Sequence, residues 1–493
     1  MKRRLILSGL CLLSIVSTTF AQGDTDVVKQ IINEGKTNNQ VWEHLTDLST
    51  NIGPRLTGST AGAQANLWAA NKLRSFGLKN VHLHKWGEIP VRFDRGPSHA
   101  KMIAPVERDF EFTTNSWSAG TDGTVRGIVL PEPKTLEELN ALKDKLPGAW
   151  ILKESRGRRL GPSGRRRRGG GESESEQTGE KPLSLIIAER LSAGGVAGSI
   201  VSSGSEIVQT SAIRNWRSLD FNDLPTDVSI TVRESDFDAI KANLDSGETV
   251  EVEVNANNQF LEGPIPVYNT IGEIPGTEFP DEVVVISAHI DSWDGPGSSG
   301  TQDNGTGSCV TIEAARILAA VGAKPRRTIR FCLWTGEEQG LLGSRAYVES
   351  LSDEERAKIS VCFVDDGGTN YQGAITCLES QREIFEEATA AVTQSFPDMP
   401  VKIIAVDKIP RGGASDHASF IEVGIPGFFW REDGMGGREG KNYRFVWHTQ
   451  NDTLRYAVPG YLVQSSTNSA VTAYNLAMAD SLVPREKTEE PQK

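Results

Sequence analysis

From residue 281 onward, short apolar runs alternate with longer amphipathic ones, and this alternation constrains the fold more than any other feature. Runs at 282–288, 327–334, 359–364, 401–406 and 427–430 have the length and the Val/Ile/Phe content of strands. Segments 305–320, 339–349, 383–394 and 461–482 space their apolar residues three and four apart, the signature of helices. Apolar strands separated by helices predict an α/β fold, a mostly parallel mixed sheet flanked by helices on both faces. In such sheets ligands gather outside the carboxyl ends of the strands. The residues that follow each apolar run are therefore where chemistry is expected.

Those residues are unusual. Three of the chain's seven histidines, His289, His417 and His448, lie in this half, each in a turn beyond an apolar segment and amid carboxylates. His289 and Asp291 are two apart on an extended segment and face the same way. One ring nitrogen is then free for a metal while a carboxylate fixes the tautomer through the other. Asp303, in DNGTG at 303–307, is delivered by a glycine-rich loop at a helix start. It reads either as an N-cap or as a carboxylate whose two oxygens bridge two cations. Glu337 and Glu338 follow the strand at 327–334, and each opposes ionisation of the other. A metal resolves that conflict if one glutamate ligates while its neighbour takes a proton from water. Asp365 and Asp366 end the strand at 359–364, and His448 opens the loop before the last helix. Each signal alone is modest. Together they bring two imidazoles, a bridging carboxylate and two further carboxylates to one side of the sheet, a set that suits two zinc ions ~3.5–4 Å apart. An oxygen and nitrogen set without sulfur also accepts Co²⁺ or Mn²⁺.

SAHIDSWD, DNGTG, GEEQGLLGS, VDDGG, SDHASF, GIP and HTQNDT, in that order, resemble the successive motifs of the co-catalytic zinc exopeptidases, metallopeptidase family 28. The resemblance covers about 40–485 and is most specific in 282–453. It implies the zinc exopeptidase fold, two Zn²⁺ ions and hydrolysis of small peptides by a homodimer. It implies that His289 and Asp366 hold the first zinc, Glu338 and His448 the second, and Asp303 bridges them. The doubled aspartate leaves Asp365 open as the alternative to Asp366. Glu337 matches the general base, Asp291 the aspartate that orients His289, and Asp416 and His417 a loop bordering the pocket. Arg411, just before Gly412 and Gly413, is a candidate clamp for a terminal carboxylate, against the ordinary reading of a surface arginine. Two other readings compete. One is a non-catalytic binding module on the same fold, which a missing ligand would favour, and none is missing. The other is a single-zinc acyl transferase of the glutaminyl cyclase kind, against which His289 and Asp366 supply a second metal position.

The remainder of the chain sets the context. Its 493 residues suggest two or three domains. With 52 Lys+Arg against 65 Asp+Glu the net charge is −13, which argues against nucleic acid as a partner. Lys2, Arg3 and Arg4 precede an apolar run at 5–16 and small residues at Thr19 and Ala21. This reads as an export signal at 1–21, cleaved after Ala21 and too short to span a bilayer. No later run spans one either, so the expected location is periplasmic or extracellular. Residues 22–95 are expected to open the peptidase domain, with helices over 25–80 interrupted by the loop GPRLTG at 53–58. Residues 96–262 read as an inserted β-rich domain resembling a protease-associated domain. Its runs at 124–130, 149–152, 185–187, 198–201, 228–232 and 250–254 read as strands, with a short helix at 189–195. Within it, 154–181 mixes seven arginines with glycine and glutamate and cannot build a core. It is expected to be a solvated loop, with a docking arm for an anionic surface as the other reading. Residues 263–485 complete the catalytic domain and 486–493 form a tail. Cys309, Cys332, Cys362 and Cys377 sit in apolar stretches without CxxC spacing and are expected as buried thiols.

Overall fold

The computed structural model of the chain describes residues 23–154, 181–409 and 413–485. The expected export signal, nearly all of the arginine-rich stretch, Arg411 and the C-terminal tail lie outside the described residues.

Six strands form the central sheet: β1 (Lys79–Arg95), β2 (Asn258–Ile274), β3 (Phe279–His289), β4 (Arg327–Trp334), β5 (Ile359–Val364) and β6 (Gly427–Phe429). Their spatial order is β1-β2-β4-β3-β5-β6. The pairs β4–β3, β3–β5 and β5–β6 are parallel, and β1–β2 and β2–β4 are antiparallel. The mixed, largely parallel sheet expected from the sequence is present. Burial on both faces explains why its central strands are largely apolar. Val284, Ile286, Phe331 and Phe363 pack on one face against helix α1 (Thr306–Ala320) and helix α2 (Pro459–Met478). Val283, Val285, Cys332 and Cys362 pack on the other face against Tyr347, Val348 and Phe420. Both faces are covered, so both register positions are mostly apolar, and a buried polar residue there is hydrogen-bonded, as Ser287 Oγ is to the Phe363 carbonyl at 2.9 Å.

A second sheet of eight strands takes all of them from between His99 and Asn255. Met102, Trp150, Ile200 and Val252 pack there with Phe237 and Ile240 of the helix Glu234–Asp245. Leu139, Ile151, Ile187 and Leu191 form a separate cluster on its other side. The strands β1 and β2, each 17 residues long, run from the central sheet to this second sheet as one antiparallel ribbon.

Three expectations need correction. Residues 185–187 are not a strand but part of the helix Leu183–Ala193. Ile187 and Leu191, four apart, are its buried residues, so helical spacing prevailed over local β-branched content. The strand Lys402–Val406 lies outside the central sheet, in a three-stranded sheet with Tyr371–Leu378 and Arg431–Asp433. The helix expected at 339–349 begins only at Leu342, because 336–341 is a turn with Gly336 and Leu341 at positive φ. The four cysteines at 309, 332, 362 and 377 are free and buried. Among the described residues no helix is long and apolar enough to cross a membrane.

Candidate active site and metal centre

The parallel strands deliver their last residues to one edge. His289 ends β3 opposite Trp334 of β4, and the Ile290 amide donates to the Trp334 carbonyl at 2.8 Å. Asp366 lies just beyond β5, where the Asp365 amide donates to the Ser287 carbonyl of β3 at 2.9 Å. The loop carrying Asp303 leads into α1. Asn304 pins that loop to the end of β5, its Nδ2 donating to the Asp365 carbonyl at 2.7 Å. A Cβ on Gly307 would stand 2.2 Å from the same carbonyl, so only glycine allows this approach.

The side chains meet around one small volume. His289 Nε2 lies 3.1 Å from Asp366 Oδ1 and 3.4 Å from Asp303 Oδ1. His448 Nε2 lies 2.9 Å from Glu338 Oε2 and 3.3 Å from Asp303 Oδ2. Asp303 thus turns one oxygen to each of two imidazoles, each backed by its own carboxylate. Glu337 Oε2 is 3.9 Å from His289 Nε2. Asp365, by contrast, turns away, its Oδ2 accepting from Gln372 Nε2 at 2.7 Å. His289 Nδ1 stands 3.0 Å from the Asp291 carbonyl, so a proton placed there leaves the Nε2 lone pair facing the cluster.

Asp291 is buried and organises two loops. Its Oδ2 accepts from the Thr57 hydroxyl at 2.9 Å, and its two oxygens accept from the Glu337 and Glu338 amides at 3.4 Å each. Trp447 stacks on the His448 ring at 3.9 Å between centroids, and Trp293 meets the same ring edge-on at 5.9 Å.

Four carboxylates against two imidazoles leave the cluster rich in acid. Burial opposes charge on His289, but Asp366 and Glu337 overcome it and hold the imidazole well above its usual range. Burial likewise opposes charge on His448, and Glu338 and Asp303 lift it to about 10. Burial, reinforced by the Asp303 charge, raises Glu338 to about 7. Burial, with Asp366 and Asp416 adding to it, raises Glu337 well above the carboxylate range. A divalent cation relieves such crowding. Asp303 Oδ2 and Glu338 Oε1 are buried without a hydrogen-bond partner among the described residues, as acceptors awaiting a cation are. Among the described residues, His289, Asp303 and Glu338 place ligand atoms within 4.8 Å of one another.

Asp416 is fully buried beside this cluster, with neither oxygen in a geometrically regular hydrogen bond among the described residues, and burial raises it to about 7. His417 packs against Phe429 and does not join the cluster. Three structural residues were not singled out from the sequence. Arg55, in the GPRLTG loop, is fully buried and donates to the carbonyls of Ile290 at 2.6 Å and Gly300 at 2.6 Å, tying the end of β3 to the Asp303 loop. Thr57 sits two residues on, against Asp291. Asp452 accepts from the Gln302 amide and joins the His448 loop to the Asp303 loop. The only sequence signal for them was charged or hydroxyl residues inside Gly- and Asn-rich turns.

The profile of peptidase family M28 matches residues 269–473, which hold every member of this cluster. Those residues are an M28 peptidase domain. The matched stretch runs from within β2 to within α2. Carboxypeptidase Q of Mus musculus is 28% identical over 472 residues, covering 93% of this chain and 91% of the relative. The M28 peptidase precursor of Shewanella amazonensis has a TM-score of 0.62 at 26% identity, covering 94% of this chain and 99% of that one. A zinc aminopeptidase from Bacillus subtilis shares the fold, with a TM-score of 0.52 at 21% identity over 88% of this chain and 94% of its own.

Proposed function

We propose that this chain is an exported di-zinc exopeptidase that hydrolyses small peptides, its M28 domain carrying the chemistry. The observation that carries the reading is the divided Asp303 carboxylate, with Oδ1 3.4 Å from His289 Nε2 and Oδ2 3.3 Å from His448 Nε2. His289, Asp366 and Asp303 would hold one zinc, and His448, Glu338 and Asp303 the other. Bound there, zinc supplies Lewis acidity, polarising the scissile carbonyl and making water a stronger acid. Glu337 then accepts the proton of the attacking water and passes it to the leaving amine nitrogen. The main-chain carbonyl of Asp291, 3.0 Å from Nδ1, would keep His289 Nε2 turned to the cluster. Asp416 and His417 border the pocket, and Arg411 is a candidate for binding a terminal carboxylate. Residues 96–262 fit a protease-associated-like insert, and the N-terminal 21 residues fit a cleaved signal. A homodimer belongs to the same reading.

The test is metal analysis paired with Glu337→Gln. The unaltered protein should hold two equivalents of zinc. The variant should keep both and lose at least a hundredfold in kcat/KM. Retention of more than a tenth of the activity, a loss under ~1.4 kcal/mol, overturns the role of Glu337. A protein without bound metal favours the non-catalytic binding module. Release of pyroglutamate instead of free amino acid favours the cyclase-like enzyme. Peptides with free or acetylated N-termini and free or amidated C-termini then assign the end that is attacked.

A further inference from the structure

The two halves of the cluster are held by different parts of the molecule. His289 and Asp366 stand at the ends of β3 and β5, which pair directly through Ser287 and Val364. Their positions are set by the sheet ladder. Glu338 and His448 stand on loops, and both loops are touched by one segment of the second sheet's domain, residues 206–217.

Along the His448 loop the contacts are consecutive. The Val208 amide donates to Gln450 Oε1 at 2.9 Å, and Gln450 Nε2 donates back to the Glu206 carbonyl at 3.2 Å. Gln209 pairs with Thr449 as an antiparallel bridge, and the Thr210 amide donates to the carbonyl of His448 itself at 2.9 Å. At the other end of the segment, Arg217 Nη2 donates to the carbonyl of Gln339, next to Glu338, at 2.9 Å. Between these ends the segment is fixed to its own domain. The Ser116 amide donates to the Ser211 carbonyl at 2.9 Å, the Ile213 amide donates to the Ser116 carbonyl at 3.1 Å, and Trp216 stacks on Trp117 at 4.5 Å. The opposite side of the His448 loop is tied to the Asp303 loop by Asp452.

We propose that residues 206–217 form a strap that positions the Glu338–His448 half of the metal centre, with Gln450 as the positioning residue that fastens it. This rests on the di-zinc reading above. A backbone loop presenting a ligand at positive φ, as His448 does at 59°, has no ladder to hold it. The reciprocal amide bonds of Gln450 replace the ladder. Supporting groups of this kind change metal affinity by 10–100-fold when removed.

The experiment titrates zinc into the metal-free full-length protein against a chromophoric chelator, reading two successive affinities without any activity assay. In Gln450→Ala the weaker step should loosen about tenfold while the tighter step stays within twofold. Gln450→Glu keeps the acceptor for Val208 and loses the donor, and should fall between. Arg217→Ala, at an exposed side chain, should shift the same single step if Gln450→Ala fails to fold, and Arg217→Lys should restore part of it. Equal loosening of both steps, or of neither, overturns the strap. Fewer than two equivalents in the unaltered protein overturns the di-zinc reading instead, and the strap with it.

Discussion

Asp291 serves three donors with two oxygens: the Thr57 hydroxyl and the amides of Glu337 and Glu338. Asn at this position would turn an amide nitrogen toward one of them and slacken the turn that presents both glutamates. Asp291→Asn is expected to lower zinc affinity by about 10–100-fold with the fold intact. Competition with a chelator reads this directly, and an unchanged affinity would show that Thr57 and the main chain suffice. His417 gives a pH prediction of known sign. Burial draws its imidazole down to about 4, against about 6.5 in the unfolded chain. Between those values the unfolded chain binds more protons, so the stability present above pH ~6.5 is lost as pH falls through about 4. His417→Phe should flatten the decline in Tm between pH ~6.5 and ~4.5 by a few degrees. Parallel declines in variant and parent would show that His417 does not titrate in this range. At this scale the sequence identified residue types but not orientation. Asp365 and Asp366 are neighbours of the same chemistry, and only strand alternation beyond Val364 turns one to His289 and the other to Gln372.

Among the elements, α2 shows what the sequence concealed. Its buried face carries Gln464, Ser465, Asn468 and Ser469, an unlikely set for a core helix until their partner is located. That partner is Gln372, whose Oε1 accepts from Asn468 at 2.7 Å and whose Nε2 donates to Ser469 at 2.9 Å as well as to Asp365. Gln372→Leu leaves Asp365 and Asn468 without this partner and should cost about 2 kcal/mol. A lowered urea midpoint with unchanged slope is the expected reading, and an unchanged midpoint would mean that the network relaxes around the loss. Apolar strands and amphipathic helices were legible because their periodicity reports burial on one or two faces. The ribbon β1–β2 was not. Its strands mix Lys, His, Glu, Pro and Asn with apolar residues, since much of each is only partly buried. Helix Leu183–Ala193 was misread because a short apolar run fits either period.

For the molecule as a whole, a metal held at this cluster would be linked to the fold. A ligand that binds only the folded chain stabilises it by about 4 kcal/mol at a thousandfold excess over Kd. The acid-rich cluster sits at the carboxyl ends of three strands of the central sheet, so chelation should lower the Tm of the full-length protein by several degrees, with recovery on adding zinc. Superimposable melts with and without chelator would show that the ligands are already satisfied by one another. The sequence by itself determined the alternation of strand and helix in the catalytic half and the residue types gathered at its strand ends, because both follow from local periodicity and from the rule that parallel strands end together. Tertiary structure alone decided which oxygen of Asp303 meets which imidazole, which of two aspartates turns inward, and that the Arg55 and Thr57 loop and the 206–217 segment brace the site. Those are contacts between residues tens to hundreds of positions apart, and no local pattern encodes a partner that distant.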